Sequence, residues 1–120
     1  MPIIYNQFKG TKAIVQVIAN TETYQLASFN QSANDQNSRT TTDTVNTLAI
    51  NKVIFNGATT ILRGANVVFS SANNISGEWT LDTWGMSLVQ SPTANITITT
   101  AANTTAMVEL RKGWSGNTAY

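Results

Sequence analysis

The chain contains no cysteine and no histidine among its 120 residues. Without cysteine there is no disulfide framework, no thiolate nucleophile and no zinc–thiolate site. Without histidine the chain lacks the commonest general base and the commonest metal ligand. An enzyme built from this sequence would have to work with carboxylates, amines, guanidinium groups or phenols alone. We therefore expect a protein that is not an enzyme and that binds no cofactor.

Charge is also scarce, at 11% of the residues. Seven basic and six acidic residues give a net charge of +1, and the basic residues form no stripe. Little counterion-release energy is then available for binding nucleic acid. No apolar run approaches the roughly 18 residues of a membrane span, and the N-terminal "MPIIYNQFKG" lacks the features of a signal peptide. Nucleic acid, membranes and Sec-type export are therefore not expected.

What the chain has in excess is threonine and asparagine, with nineteen and fourteen residues. Threonine suits the pleated surface of a strand, and asparagine suits turns because it tolerates positive φ. Apolar content of 42% is enough for the core of one domain of this length. About eight short or alternating apolar segments recur, without a helical stripe. This pattern predicts an all-β fold, an antiparallel β-sandwich for which a jelly roll is one arrangement.

Two segments of the first half receive specific predictions. "TYQLASF" alternates like a strand, whereas residues 30–43 contain one apolar side chain, Ala33, and predict an exposed loop. "NDQNS" and Asp43 offer oxygen ligands that suit calcium. The spacing lacks the glycine and the closing glutamate of an EF-hand loop, so no metal site is predicted.

Three local features are predicted in the middle of the chain. Apolar parity changes between Leu48–Ile50 and Val53–Phe55, which predicts a bulge near Asn51. The dipeptide Asn56-Gly57 is a strong hairpin signal. Gly64 inside an apolar run predicts a bulge or a tight bend.

The stretch "ISGEWTLDTWGMSL" carries two tryptophans and two acids, a combination that raises the question of a glycosidase site. In a strand, Trp79 and Leu81 point to one face, while Glu78 and Asp82 point to the other. Residues four apart on a strand are separated by roughly 13 Å, which exceeds the spacing of catalytic carboxylate pairs in glycosidases. We therefore expect Trp79 in the core and the acids on the wet face.

Trp84 and Trp114 each adjoin a glycine near the end of a predicted strand. Trp84 is expected to close one end of the core. The alternative for either residue is an exposed platform for a sugar ring, because a rigid aromatic offers much contact area at little entropic cost. A small carbohydrate-binding or lectin-like β-sandwich is therefore the second hypothesis for the function.

The two ends of the chain contain the candidate partner contacts. A sandwich domain over residues 11–113 is expected between an N-terminal arm, residues 1–10, and a C-terminal tail, residues 114–120. The apolar arm and the tail are expected to dock on neighbouring chains; for the arm, an edge strand in its own sheet is the alternative. Arg111-Lys112 is expected to be solvated surface charge, with a contact to an acidic partner as the alternative. The candidate contacts are Ile3, Ile4, Tyr5, Phe8, Arg111, Lys112, Trp114 and Tyr120.

The succession "LRGANVV", "GMSL" and "MVELRK", after an opening arm at residues 1–6, resembles small virion structural proteins of tailed marine phages such as cyanophages. The resemblance extends from the arm to about Lys112. It implies a virion component, assembled in the host cytoplasm, with no catalytic residues. The implied role is a capsid decoration or cement protein that binds the major capsid protein, with an accessory neck or tail subunit as the alternative. It also implies a homo-oligomer, with a trimer as the expected form.

Overall fold

A computed structural model of the protein describes residues 3–6, 11–34, 40–80 and 93–116. The described residues form ten strands, one short 3-10 helix and no α-helix. The 3-10 helix spans Leu26–Phe29. The strands are β1 (Ile3–Asn6), β2 (Lys12–Ile18), β3 (Thr21–Tyr24), β4 (Gln31–Asn34), β5 (Thr40–Phe55), β6 (Thr59–Arg63), β7 (Asn66–Ser70), β8 (Gly77–Thr80), β9 (Ile96–Thr100) and β10 (Thr105–Gly116).

The strands pair in a nested, antiparallel order. β2 pairs with β10, β3 with β9, β5 with β8 and β6 with β7. β10 also pairs with β5, and β9 with β6, which joins the pairs into two sheets. The first sheet has the order β1-β2-β10-β5-β4 with β8 on β5, and the second has the order β3-β9-β6-β7. This confirms the antiparallel β-sandwich, and the nested order of the eight paired strands is the connectivity of a jelly roll.

The core lies between the two sheets, and strand alternation explains its composition. Side chains of odd parity in β2, and of even parity in β9 and β10, are buried, whereas their neighbours are not. This agrees with the alternation predicted for β9 and β10, while for β2 the sequence left open whether Ile14 or Val15 faces the core. Trp79 is half-buried and packs against the core, with its ring stacked on Phe69 at a centroid distance of 5.1 Å. The buried residues of these strands are Ala13, Val15, Val17, Ile96, Ile98, Ala106, Val108 and Leu110.

Two of the predicted local features are confirmed. The register between β5 and β10 shifts between Ile50 and Lys52, which leaves Asn51 as the extra residue of a bulge. Leu48, Ile50 and Val53 are consequently all buried despite their change of parity. Gly64 has φ of 59° in the tight connection between β6 and β7.

The strand predicted over "TYQLASF" is wrong beyond Tyr24. The chain leaves the second sheet at Tyr24 and enters the first at Gln31, and the 3-10 helix spans the crossing. The Ser28 hydroxyl caps the N-terminal end of this helix by accepting a hydrogen bond from the backbone N–H of Gln25 at 3.1 Å. Tyr24 and Phe29 are both fully buried, with ring centroids 5.9 Å apart. The helix thus brings both rings into the core, which an alternating strand would not do.

The loop predicted over residues 30–43 is also wrong in part. Gln31–Asn34 forms β4, which pairs with residues 40–43 of β5. Backbone pairing does not require apolar side chains, and the threonines at 40–42 have high strand propensity. Most of the "NDQNS" segment, at residues 35–38, lies outside the described residues.

The hairpin predicted at Asn56-Gly57 is wrong as well. β5 and β6 belong to different sheets, so this dipeptide connects the two layers of the sandwich. Asn56 Oδ1 accepts a hydrogen bond from the backbone N–H of Thr105 at 2.7 Å. A Cβ at Gly57 would collide with the Thr104 hydroxyl. The glycine is therefore needed for close approach between chain segments.

The two chain ends contribute strands to the first sheet. Ile3–Asn6 pairs with β2, so this part of the arm is the edge strand that the sequence left as the alternative. β10 continues past residue 113, and Trp114 pairs with Val45 of β5. β1 thus lies within the predicted arm but belongs to the sheet, and β10 crosses the boundary predicted between the domain and the tail.

Candidate functional site

A bulge in β1 determines how its apolar residues are presented. Ile3 pairs with Val15 and Tyr5 with Ile14, so Ile4 is the extra residue. Ile3 packs against the core, whereas Ile4 and Tyr5 are 48% and 46% exposed. The structure thus offers two of the predicted contact residues to a partner and places the third inside the sandwich.

Four other aromatic candidates are described little or not at all. Phe8, Trp84 and Tyr120 lie outside the described residues. For Trp114 the structure gives the backbone pairing with Val45. The predicted contacts of these residues stay predictions.

Arg111 and Lys112 are not a single surface patch, because consecutive residues of a strand face opposite sides. Arg111 is exposed on the outer face of the first sheet. Lys112 is only 2% exposed, and its ammonium donates a hydrogen bond to Asn6 Oδ1 at 2.7 Å. The expectation of solvated charge is therefore wrong for Lys112. The signal was present in the sequence, since Lys112 continues the buried parity of Ala106, Val108 and Leu110.

Asn6 is a structural position that the sequence did not reveal. Its Nδ2 donates a hydrogen bond to the backbone carbonyl of Phe29 at 2.8 Å. The backbone carbonyl of Asn6 accepts a hydrogen bond from Gln31 Nε2. Together with the Lys112 contact, these bonds connect β1 with the 3-10 helix, β4 and β10. The conformation of the N-terminal edge is therefore specified by polar contacts as well as by strand pairing.

Arg63 is a second buried cation that the sequence analysis missed. It is fully buried, and its Nη1 donates a hydrogen bond to the carbonyl of Leu48 at 2.7 Å. This contact runs from β6 in the second sheet to β5 in the first. Burial lowers the pKa of the Arg63 guanidinium. Its place in the alternation, two residues after buried Ile61, was the available signal.

The outer face of the first sheet carries apolar and charged side chains side by side. One row across the sheet runs Ile14, Glu109 and Lys52, and the next runs Met107 and Ile54. These five side chains line an open hollow of about 170 Å³. Ile54 is 41% exposed, although it is a large aliphatic residue. We call this set of five residues the sheet-one face.

A larger hollow, of about 280 Å³, lies further along the same strands. It contains the exposed Arg111 beside Gly113, whose missing side chain leaves room for Thr47. The wall of the hollow therefore combines small residues with a leucine and two cations. Its lining residues are Thr11, Thr47, Leu48, Ala49, Arg111, Lys112 and Gly113.

The outer face of the second sheet is different in character. Thr21 and Thr23 of β3 form side-chain hydrogen bonds of 3.1 Å with Thr99 and Thr97 of β9. Such cross-strand threonine pairs stabilise a sheet by a few tenths of a kcal/mol to about 1 kcal/mol each. Most of this face is polar, so the larger concentration of aliphatic side chains is on the sheet-one face.

Within the described residues there is no group of three or more histidine, cysteine, aspartate or glutamate side chains that could hold a metal ion. Glu78, on the wet face as predicted, accepts a hydrogen bond from Thr80 at 2.8 Å. No helix in the described part of the chain is long and apolar enough to cross a membrane. Comparison with known proteins found no matching family model, no similar curated protein and no similar solved structure.

Proposed function

We propose that the chain is a non-enzymatic virion structural protein of a tailed phage, and that it acts as a capsid decoration or cement protein. The observation that carries the proposal is the nested pairing of eight strands in two sheets. Jelly rolls of this kind serve as viral capsid domains, and also as lectins. Fold alone does not assign a function, so the residues available for contact decide how the proposal is tested.

The contact with the major capsid protein is assigned to the N-terminal edge strand. In the described part of the chain β1 is the end strand of the first sheet, and an end strand presents unpaired backbone groups. Ile4 and Tyr5 add exposed apolar surface at the same place. A segment of the capsid protein can then pair along β1 while it covers these two side chains. A cement protein needs such a contact, because many copies, each bound weakly, can together stabilise the capsid lattice.

The location of the protein is tested on particles. Antibodies raised against the purified full chain are used to probe gradient-purified particles of the phage that encodes it, by immunoblot and by immunogold electron microscopy. We expect the protein in the particles and the gold on the head. Gold confined to the neck or tail would indicate an accessory subunit instead. Detection in the infected lysate but not in purified particles would refute the virion role.

The contact itself is tested by substitution. Ile4→Asn combined with Tyr5→Ser is expected to lower co-sedimentation with capsids that lack the protein by at least about tenfold, since exposed apolar anchors dominate such interfaces. Val67→Asn is the matched control, because Val67 is 60% exposed on the second sheet. Equal binding by both variants would exclude the edge strand as the contact. Binding to a glycan array by a protein absent from particles would instead support the lectin hypothesis.

A further inference from the structure

We propose that the sheet-one face binds a second copy of this chain across a two-fold axis that runs parallel to the strands, between β5 and β10. The proposal does not depend on the virion role. It assigns a surface other than the N-terminal edge, and it names a dimer where the resemblance suggested a trimer.

The apolar side chains of this face would be stabilised by burial against a partner. Met107 and Ile54 are cross-strand neighbours at its centre, and Ile14 lies diagonal to Met107. They surround an open hollow, and Ile54 remains 41% exposed there. Ile14 and Met107 are half-buried, so together with Ile54 they present a partly exposed apolar patch rimmed by charge, which is a feature of protein interaction sites.

The charges of this face identify the second copy as the occupant. Glu109 on β10 lies directly opposite Lys52 on β5, and these are the two central strands of the jelly-roll part of the first sheet. A two-fold axis between the strands brings Glu109 of each copy over Lys52 of the other. It also brings Met107 over Ile54 in both directions. A two-fold interface must be complementary to itself, and this arrangement is.

The arrangement of charges on the neighbouring strand is compatible with this pairing. Lys12 Nζ lies 3.8 Å from Glu109 Oε1, so Glu109 is flanked by a cation within its own chain. Lys52 lies opposite Glu109 on β10 and Thr80 on β8, and Glu78, which accepts a hydrogen bond from Thr80, lies diagonal to Lys52. A second copy therefore supplies Lys52 with an additional carboxylate and Glu109 with an additional ammonium.

The size of the face fits a weak dimer. The sheet around this face consists of β2 with seven residues, β8 with four residues and about nine residues each of β5 and β10. At about 4.8 Å by 3.3 Å per residue, this gives roughly 460 Å² per copy. The total of roughly 900 Å² is in the range of weak or transient contacts, so a dissociation constant in the micromolar range is expected. A three-fold ring would instead require two different patches that fit each other. The sheet-one face is a single patch that fits itself.

The experiment uses reciprocal charge reversal in the full chain. The mass in solution is measured by light scattering up to about 0.5 mM, well above a micromolar dissociation constant. Wild type is expected to be a dimer at the higher concentrations. Lys52→Glu alone places two like-charged pairs in the interface, and Glu109→Lys alone does the same, so each is expected to weaken the dimer at least about tenfold. An equal mixture of the two variants pairs opposite charges at both contacts and is expected to restore the dimer.

The mixture separates the interface from effects within one chain. Each variant also places like charges side by side on β5 and β10 of its own sheet, and mixing leaves that unchanged. Ile54→Asn is expected to weaken the dimer without a charge reversal, and Val67→Asn serves as the matched control on the second sheet. If the charge variants fail to fold, the comparison of Ile54→Asn with Val67→Asn alone tests whether the sheet-one face is the dimer interface. A wild-type monomer or trimer, dimerisation unaffected by Ile54→Asn, or a mixture of folded charge variants that stays monomeric would each overturn the proposal.

Discussion

The ammonium of Lys112 donates a hydrogen bond to Asn6 Oδ1 at 2.7 Å, across 106 residues of chain. The two residues belong to β10 and β1, which are not neighbours in the first sheet because β2 lies between them. Lys112 is almost fully buried, so its charge depends on protein acceptors rather than on water. Asn6 is therefore expected to contribute more to stability than is usual for a residue near the end of a chain.

Replacement of Asn6 by alanine is expected to lower the free energy of unfolding by roughly 1.5–3 kcal/mol, the range for a hydrogen bond to a charged group. The variant also loses the bond from Asn6 Nδ2 to the Phe29 carbonyl. Urea unfolding measures the change. Asn66→Ala, at an exposed asparagine, is the control and is expected to change stability by less than about 0.5 kcal/mol. Equal effects of the two substitutions would contradict the role given to Asn6.

The two buried cations show how far sequence patterns predict this structure. Alternation correctly gave the buried faces of β9 and β10, because strand geometry alone determines parity. The same parity points Lys112 and Arg63 inward, but their charge suggested surface positions. Which hydrogen-bond acceptors lie near Lys112 and Arg63 in the folded protein depends on segments that are distant in the chain. A local sequence pattern does not contain this information.

Turn signals failed for a related reason. Asn56-Gly57 has the composition of a hairpin, yet it connects two sheets. A dipeptide specifies local backbone preference, whereas pairing depends on which strands are brought together by the whole sandwich. The nested order pairs β2 with β10, at residues far apart in the sequence. The all-β class was therefore predictable, while the contact between Asn6 and Lys112 was not.

A second prediction concerns close packing between Gly113 and Thr47. A Cβ at Gly113 would overlap the Thr47 hydroxyl, while the Thr47 Cβ lies 3.5 Å away, at ordinary contact distance. Gly113→Ala is expected to destabilise the fold by roughly 1–3 kcal/mol through overpacking. In a Thr47→Ala background the overlapping hydroxyl is gone. There the same change is expected to be neutral or stabilising by up to about 1 kcal/mol, since alanine loses less backbone entropy than glycine.

A double-mutant cycle from urea unfolding of the wild type, both single variants and the double variant tests this expectation. The coupling between the two positions is expected to be favourable and larger than about 1 kcal/mol. If Gly113→Ala costs the same in both backgrounds, the backbone at Gly113, and not the Thr47 hydroxyl, limits the substitution.

A third prediction distinguishes two reasons why a side chain at Gly64 could destabilise the fold, namely steric crowding and an unfavourable backbone conformation. Its φ of 59° is in the left-handed region, but a Cβ there would be 3.5 Å from Ala94, which is ordinary contact. Gly64→Ala is expected to cost roughly 1–2 kcal/mol from conformation alone. Gly64→Asn is expected to cost less, because asparagine tolerates this region although it is larger. Chemical unfolding of both variants measures the difference. A greater cost for asparagine would indicate crowding instead.

The last prediction follows from the buried phenol of Tyr24. Burial, and secondarily the negative charge of Glu22, raise the pKa of Tyr24 to about 12. The folded state therefore favours the protonated phenol. The resulting stability is fully present below the unfolded pKa of about 10 and is lost as the pH rises from about 10 to 12. A difference of about two pKa units corresponds to roughly 2.7 kcal/mol. Wild type is therefore expected to lose that amount over this range in addition to any loss shared with Tyr24→Phe.

Tyr24→Phe is a suitable reference because the Tyr24 hydroxyl has no hydrogen-bond partner in the described part of the chain. Removing it is expected to leave stability near neutral pH unchanged or slightly increased. Unfolding free energies of both proteins between about pH 8 and 12 give the difference. Glu22→Gln tests the cause: if burial dominates, most of the alkaline loss persists in this variant. If Glu22→Gln abolishes the loss, the charge of Glu22 is the main cause, and parallel pH curves for wild type and Tyr24→Phe would show that the phenol does not contribute.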